Sequence, residues 1–190
     1  MRKVSTAVAF LVMGVFLALA TGAGSTRAVL ADDSKVTIRD DCDPDGWPGP
    51  PPGGGCELED GDVTAAEFNA ELSSPLSSSV IGHQAWRNDP SYLKIEEGEN
   101  VKVKNKGGRA HTFTEVANFG GGRVPPFNQG LTPTPECLDA ENSPALPPGA
   151  NVDVTGLGAG NHRFQCCFHP WMRMLIKVKP EQEAEGQQEN

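Results

Sequence analysis

The sequence predicts an all-β fold, a sandwich or barrel of short strands, from three observations. Short alternating runs recur: Tyr92-Leu93-Lys94-Ile95, Val101-Lys102-Val103-Lys104, Asn151-Val152-Asp153-Val154 and Met174-Leu175-Ile176-Lys177-Val178. Turn formers separate them at Gly98, Gly107-Gly108, Pro147-Pro148-Gly149 and Gly158-Ala159-Gly160. Long patterns of 3.6-residue period are scarce. Strands put every second side chain on one face, so these runs fit half-buried strands joined by tight turns.

The N-terminus is a sorting signal in composition. Arg2 and Lys3 are followed by an apolar run, Val8 to Ala20, and then by small residues. Basic, apolar and small, in that order, is a secretory signal. Val29-Leu30-Ala31 fits the cleavage site, and a cut after Ala20 is the alternative. The apolar core is short for a membrane span, which takes about 20 residues. Residues 1–31 are therefore expected to be removed, leaving an exported chain, periplasmic or extracellular, with no membrane span. The cut takes away Arg2, Lys3 and Arg27 and no acid. The formal charge then moves from −9 to −12, with 13 basic against 25 acidic residues. Such an acidic chain does not suit nucleic acid or anionic lipid.

The 159 residues left from 190 are enough for one domain with a sizeable core. Residues 32–75 form an N-terminal extension. Within it lies a Pro/Gly loop from Asp41 to Cys56, and Ala65, Ala66, Glu67 and Phe68 favour a short helix. The extension is expected to add a strand or cover a sheet edge. Residues 76–180 form the main domain. Its long Gly- and Pro-rich segment 117–149 calls for a function or structure of its own. Residues 181–190 are an acidic tail, expected to be disordered. Asp40, Asp41, Asp43 and Asp45 lack the Gly and terminal Glu of a calcium loop, and a solvated acidic loop is expected there.

Five cysteines follow the signal: Cys42, Cys56, Cys137, Cys166 and Cys167. Exported chains pair their thiols, and an odd number leaves one over. Cys42 and Cys56 can close the Pro/Gly loop. If Cys166 or Cys167 binds a metal, the other can pair with Cys137. Adjacent residues of a strand point to opposite faces, so one sulfur can enter a site while its neighbour staples the long loop.

The most informative stretch is Phe164-Gln165-Cys166-Cys167-Phe168-His169-Pro170-Trp171-Met172. It sets a thiolate, an imidazole and a thioether at C-x-x-H-x-x-M spacing. Upstream, the strand-like run Arg109 to Thr114 carries His111. Alone, Met172 fits a core, His169 a loop and Cys166 a disulfide. Together they make two His, one Cys and a weak axial Met, the ligand set of blue-copper electron-transfer sites. The expected metal residues are thus His111, Cys166, His169 and Met172, and the expected cofactor is one copper ion. His83 and His162 fall outside the pattern.

Residues 80–179 resemble the plastocyanin/azurin family of cupredoxins, with an amicyanin-like ligand loop. The resemblance rests on Cys166, His169, Pro170, Met172 and Arg173, then the apolar strand Met174 to Val178, with His111 in the place of the first ligand. It implies a Greek-key β-sandwich with copper near one end. It also implies a partly exposed His169 in an apolar patch with Pro170 and Trp171. Thr112 departs from the Asn common after the first His, and the Cys166-Cys167 doublet is not general in the family.

The expected function is that of a non-enzymatic one-electron carrier, a monomer serving protein redox partners that the sequence does not name. A copper carrier, store or sensor would use the same ligands. A multicopper enzyme would bridge its centres through His-Cys-His, whereas Gln165 and Cys167 flank Cys166. Zinc has little use for a Met.

Overall fold

Val36, Ile38 and Asp40 alternate with more exposed neighbours along Ser34–Asp40, strand β1. The computed structural model describes residues 34–40, 63–71, 73 and 86–180. The signal, the Cys42–Cys56 loop, His83 and the acidic tail lie outside the described residues. All described residues fall in one compact unit, Ala31–Asn190.

The remaining strands are β2 (Trp86–Asp89), β3 (Tyr92–Glu96), β4 (Val101–Asn105), β5 (Thr114–Val116), β6 (Asn151–Val154), β7 (Gly160–Gln165) and β8 (Arg173–Lys179). They form two four-stranded sheets, in the orders β2-β1-β4-β6 and β3-β8-β7-β5. The all-β sandwich is the fold observed. Every alternating run named from the sequence is a strand, within a residue at each end. The chain changes sheets at the cis Asp89–Pro90 bond, between β2 and β3.

Strand β1 is an inner strand. It runs parallel to β4, with Val36 opposite Val103, and antiparallel to β2, with Asp40 opposite Trp86. Residues assigned to the extension therefore complete the first sheet from within rather than cover its edge. The core lies between the sheets. Val36, Ile38, Val101 and Val103 come from one, and Ile95, Phe164, Met174, Ile176 and Val178 from the other. A fully buried side chain of this size contributes about 1.5–3 kcal/mol.

Helix α1, Ala65–Glu71, starts in a capping box. Thr64 Oγ1 accepts the Glu67 N–H at 3.2 Å, and Glu67 Oε2 accepts the Thr64 N–H at 2.9 Å. The helix sends Phe68 into the core, against Trp86 and Trp171 at centroid distances of 5.3 and 5.5 Å.

The long segment 117–149 has structure of its own. It holds a 3-10 turn at Pro125–Phe127 and helix α2, Pro135–Leu138, capped by Thr134. Arg123 ties it together, donating to the carbonyls of Cys137 and Ser143. A disulfide joins Cys137 to Cys167 across 30 residues, as the cysteine arithmetic allows. Cys166 is the free thiol among the described residues. A Cβ on Gly122 would run into the Cys167 carbonyl oxygen, so this approach requires glycine.

Candidate metal centre

Cys166 follows β7 directly, and Met172 directly precedes β8. Those two antiparallel strands pair from Gln165 and Arg173 onward, so the loop between them is held at both feet. Its backbone closes on itself. Cys166 N–H donates to the Met172 carbonyl at 3.0 Å, and Met172 N–H donates to the His169 carbonyl at 2.9 Å. The buried Asn88 of β2 donates its side-chain N–H to the same Met172 carbonyl at 3.4 Å. Arg173 Nε donates to the Pro170 carbonyl at 2.7 Å.

His111 arrives from the other side. The sequence run 109–114 looked strand-like, but β5 begins only at Thr114. His111 instead makes an isolated bridge with Leu146, through bonds of 3.1 and 2.6 Å. Asn105 shapes the turn before it. Its side chain donates to the carbonyls of Arg109 and Leu146 and accepts the Gly107 N–H.

These pieces bring three of the four expected ligands to one point. Cys166 Sγ lies 3.6 Å from His111 Nδ1 and 3.6 Å from His169 Nδ1, and the two nitrogens are 3.1 Å apart. Donors bound to one ion at about 2.0–2.3 Å stand roughly 3–4 Å from one another, so the spacing fits a single metal. Thiolate plus imidazole selects a soft or borderline ion. Among the described residues this is the group able to hold a metal. Met172 is fully buried and belongs to the same core cluster as Cys166.

The electrostatics suit a thiolate. Burial by itself opposes the charge on Cys166, but the His111 and His169 imidazoles outweigh it and hold the thiol well below its usual range. Burial likewise disfavours a charged His111, while its bonds to Asp40 and Cys166 push it up to about 9. Thr112 adds a backbone N–H donated to Cys166 Sγ at 3.3 Å. Its hydroxyl accepts the Cys167 N–H at 2.7 Å, so the residue departing from the common Asn ties the two ligand segments together.

Two features differ from the sequence reading, those of Asp40 and of the His169 patch. Asp40 is not part of a solvated loop: it is 2% exposed, with its carboxylate against His111 Nε2 and accepting the Arg109 N–H at 2.7 Å. The inward register of Val36, Ile38 and Asp40 was the available signal. His169 is 8% exposed, Trp171 is 1% exposed and Pro170 is buried, so they do not form an open apolar patch. Trp86 packs edge-on to His169 at 4.8 Å and Phe127 lies at 5.9 Å, while Phe68 closes over Trp171. His162, left out of the ligand pattern, bonds instead to Glu115 at 2.6 Å and to the Gly158 carbonyl at 2.8 Å.

No family model matches the chain, and no curated protein matches it. Solved structures do. A purple cupredoxin from Nitrosopumilus maritimus is 18% identical, with 77% of this chain and 100% of that one covered, at a TM-score of 0.40. A reduced single-substitution variant of amicyanin is 16% identical, covering 57% of this chain and 89% of its own, at 0.36. A second reduced amicyanin variant is 18% identical, covering 56% and 92%, at 0.35. The structures to which this chain is similar are cupredoxins, and its buried His111–Cys166–His169 group is consistent with the ligands of a type 1 copper site.

Proposed function

We propose that the chain is an exported blue copper protein that carries single electrons, with His111, Cys166 and His169 as equatorial ligands and Met172 as the axial one. The observation that carries this reading is the meeting of one sulfur and two imidazole nitrogens within 3.6 Å, all from buried side chains. Copper held there would supply one-electron chemistry, alternating between Cu(II) and Cu(I).

The protein's own part is rigidity. The loop from Cys166 to Met172 is closed by two backbone bonds and anchored between paired strands. Ligands fixed in this way move little when the charge between them changes. Thr112 holds the Cys166 sulfur, and the aromatic cover of Trp86, Phe127 and Trp171 keeps water from the His169 ring. Export, a monomeric state and a protein redox partner belong to the same proposal. Among the described residues no helix is long and apolar enough to cross a membrane.

One observation favours a second reading, a copper store or carrier without electron exchange: His169 is only 8% exposed. An optical spectrum separates the two. Residues 32–190 are purified, given one equivalent of Cu(II) and freed of excess. An intense visible band from sulfur-to-copper charge transfer is expected. A colourless protein that holds copper tightly as Cu(I) would support storage, and one that takes no metal would overturn both.

A further inference from the structure

We propose that Asp40 is a positioning residue of the metal centre, its carboxylate accepting a hydrogen bond from the His111 Nε2–H and so turning the Nδ1 lone pair toward Cys166 and His169. The inference rests on the copper reading above and deepens it.

The contact joins two buried groups. His111 is fully buried and Asp40 is 2% exposed. Asp40 Oδ1 meets His111 Nε2, and Oδ2 accepts the Arg109 N–H at 2.7 Å, so both oxygens are committed. The cradle is close-fitting. A Cβ on Gly107 would lie 2.5 Å from the carboxyl carbon, leaving the acid no room to swing toward that strand end. The two partners lie 71 residues apart, brought together by the parallel pairing of β1 with β4.

A neutral imidazole has one nitrogen that donates and one that accepts, and the bond made by the first decides which is free to bind metal. A carboxylate on the far nitrogen fixes the ring's orientation and makes the near nitrogen a stronger donor. A stronger donor with a nearby negative charge favours the more highly charged ion. Asp40 should therefore stabilise Cu(II) more than Cu(I) and lower the reduction potential.

Asp40→Asn tests this, because the amide keeps the shape and removes the charge, and its one oxygen can still accept the His111 Nε2–H bond, with the Arg109 N–H bond given up. The full chain is expressed as wild type and variant, and both are titrated with Cu(II) and Cu(I) and examined by voltammetry. The variant is expected to keep the visible band and lose about 10- to 100-fold in Cu(II) affinity. Cu(I) affinity should fall less, so the potential rises, by about 59 mV for each tenfold difference. Equal affinities and potentials in the two proteins would overturn the proposal and leave the contact as packing alone. If the variant does not fold, the wild type loaded with Cu(I) answers by nitrogen-15 NMR. A downfield, slowly exchanging proton on His111 Nε2 is expected, and an unshifted, rapidly exchanging one would overturn the proposal. A wild type that takes no copper would bring down the copper reading itself, which an unaffected Asp40→Asn would not.

Discussion

Cys166 and Cys167 are adjacent in the chain, yet their sulfurs serve different environments. The first faces two imidazoles at 3.6 Å, and the second is bonded to Cys137. The division separates the proposed metal ligand from a staple, and each can be removed alone. Cys137→Ala should cost about 3–4 kcal/mol in the chain-entropy picture for a loop of this length, seen as a lower denaturant midpoint. It should leave the visible copper band in place. Cys166→Ser should do the opposite, abolishing the band while the disulfide still forms. A Cys137→Ala protein without colour would show that the staple is needed to build the site.

Met172 closes the ligand loop through its backbone and is fully buried. With Gln at this position, the copper should stay and the potential should fall, because an amide oxygen favours Cu(II) more than a thioether does. Voltammetry checks the direction. Complete loss of copper would count against an axial role.

Trp86 packs nearer His169 than Phe127 or Trp171 does, at 4.8 Å and edge-on. Trp86→Ala should cost about 3–5 kcal/mol, the range for deleting a buried aromatic. It should also open the His169 ring to water. Denaturant melts of the metal-free protein give the first quantity, and solvent exchange at the ring gives the second. Trp86→Phe should restore most of both. Stability unchanged in Trp86→Ala would mean that the cover is not packed as described.

His162 and Glu115 form an ion pair at the surface of the second sheet, 2.6 Å apart. Burial is the largest single influence and opposes the charged ring, but the bonds to Glu115 and the Gly158 carbonyl together with the Glu115 charge outweigh it, and the His162 pKa is raised above 6.5. The pair should therefore stabilise fully below about pH 6.5 and fade as pH rises through the raised value. Because Glu115 is half exposed, the effect should be below about 1 kcal/mol. Thermal melts of the metal-free wild type and Glu115→Gln across this range provide the check. Their difference should shrink with rising pH, and a constant difference would refute the assignment.

Much of the fold was legible because it is local. The runs at 92–95, 101–104, 151–154 and 174–178 carry their own alternation, and each is a strand. The meeting of Cys166 and His169 was legible for the same reason, since both fall inside one short window. What escaped depends on distant pairing. Asp40 looks like one acid among several until β1 is placed beside β4. The cover over His169 draws Trp86 and Phe127 from separate elements, with Phe68 from a third packed on Trp86 and Trp171, and no spacing joins them.

The inner place of β1 ties the proposed copper centre to the integrity of the amino end. Trimming by a protease to the start of β2 would bare the facing edges of β2 and β4, two strands primed to pair with a neighbouring chain. The same cut would strip His111 of its carboxylate partner. Damage at one end of the polypeptide would thus be reported at the metal, as a shifted potential, and at the sheet, as aggregation.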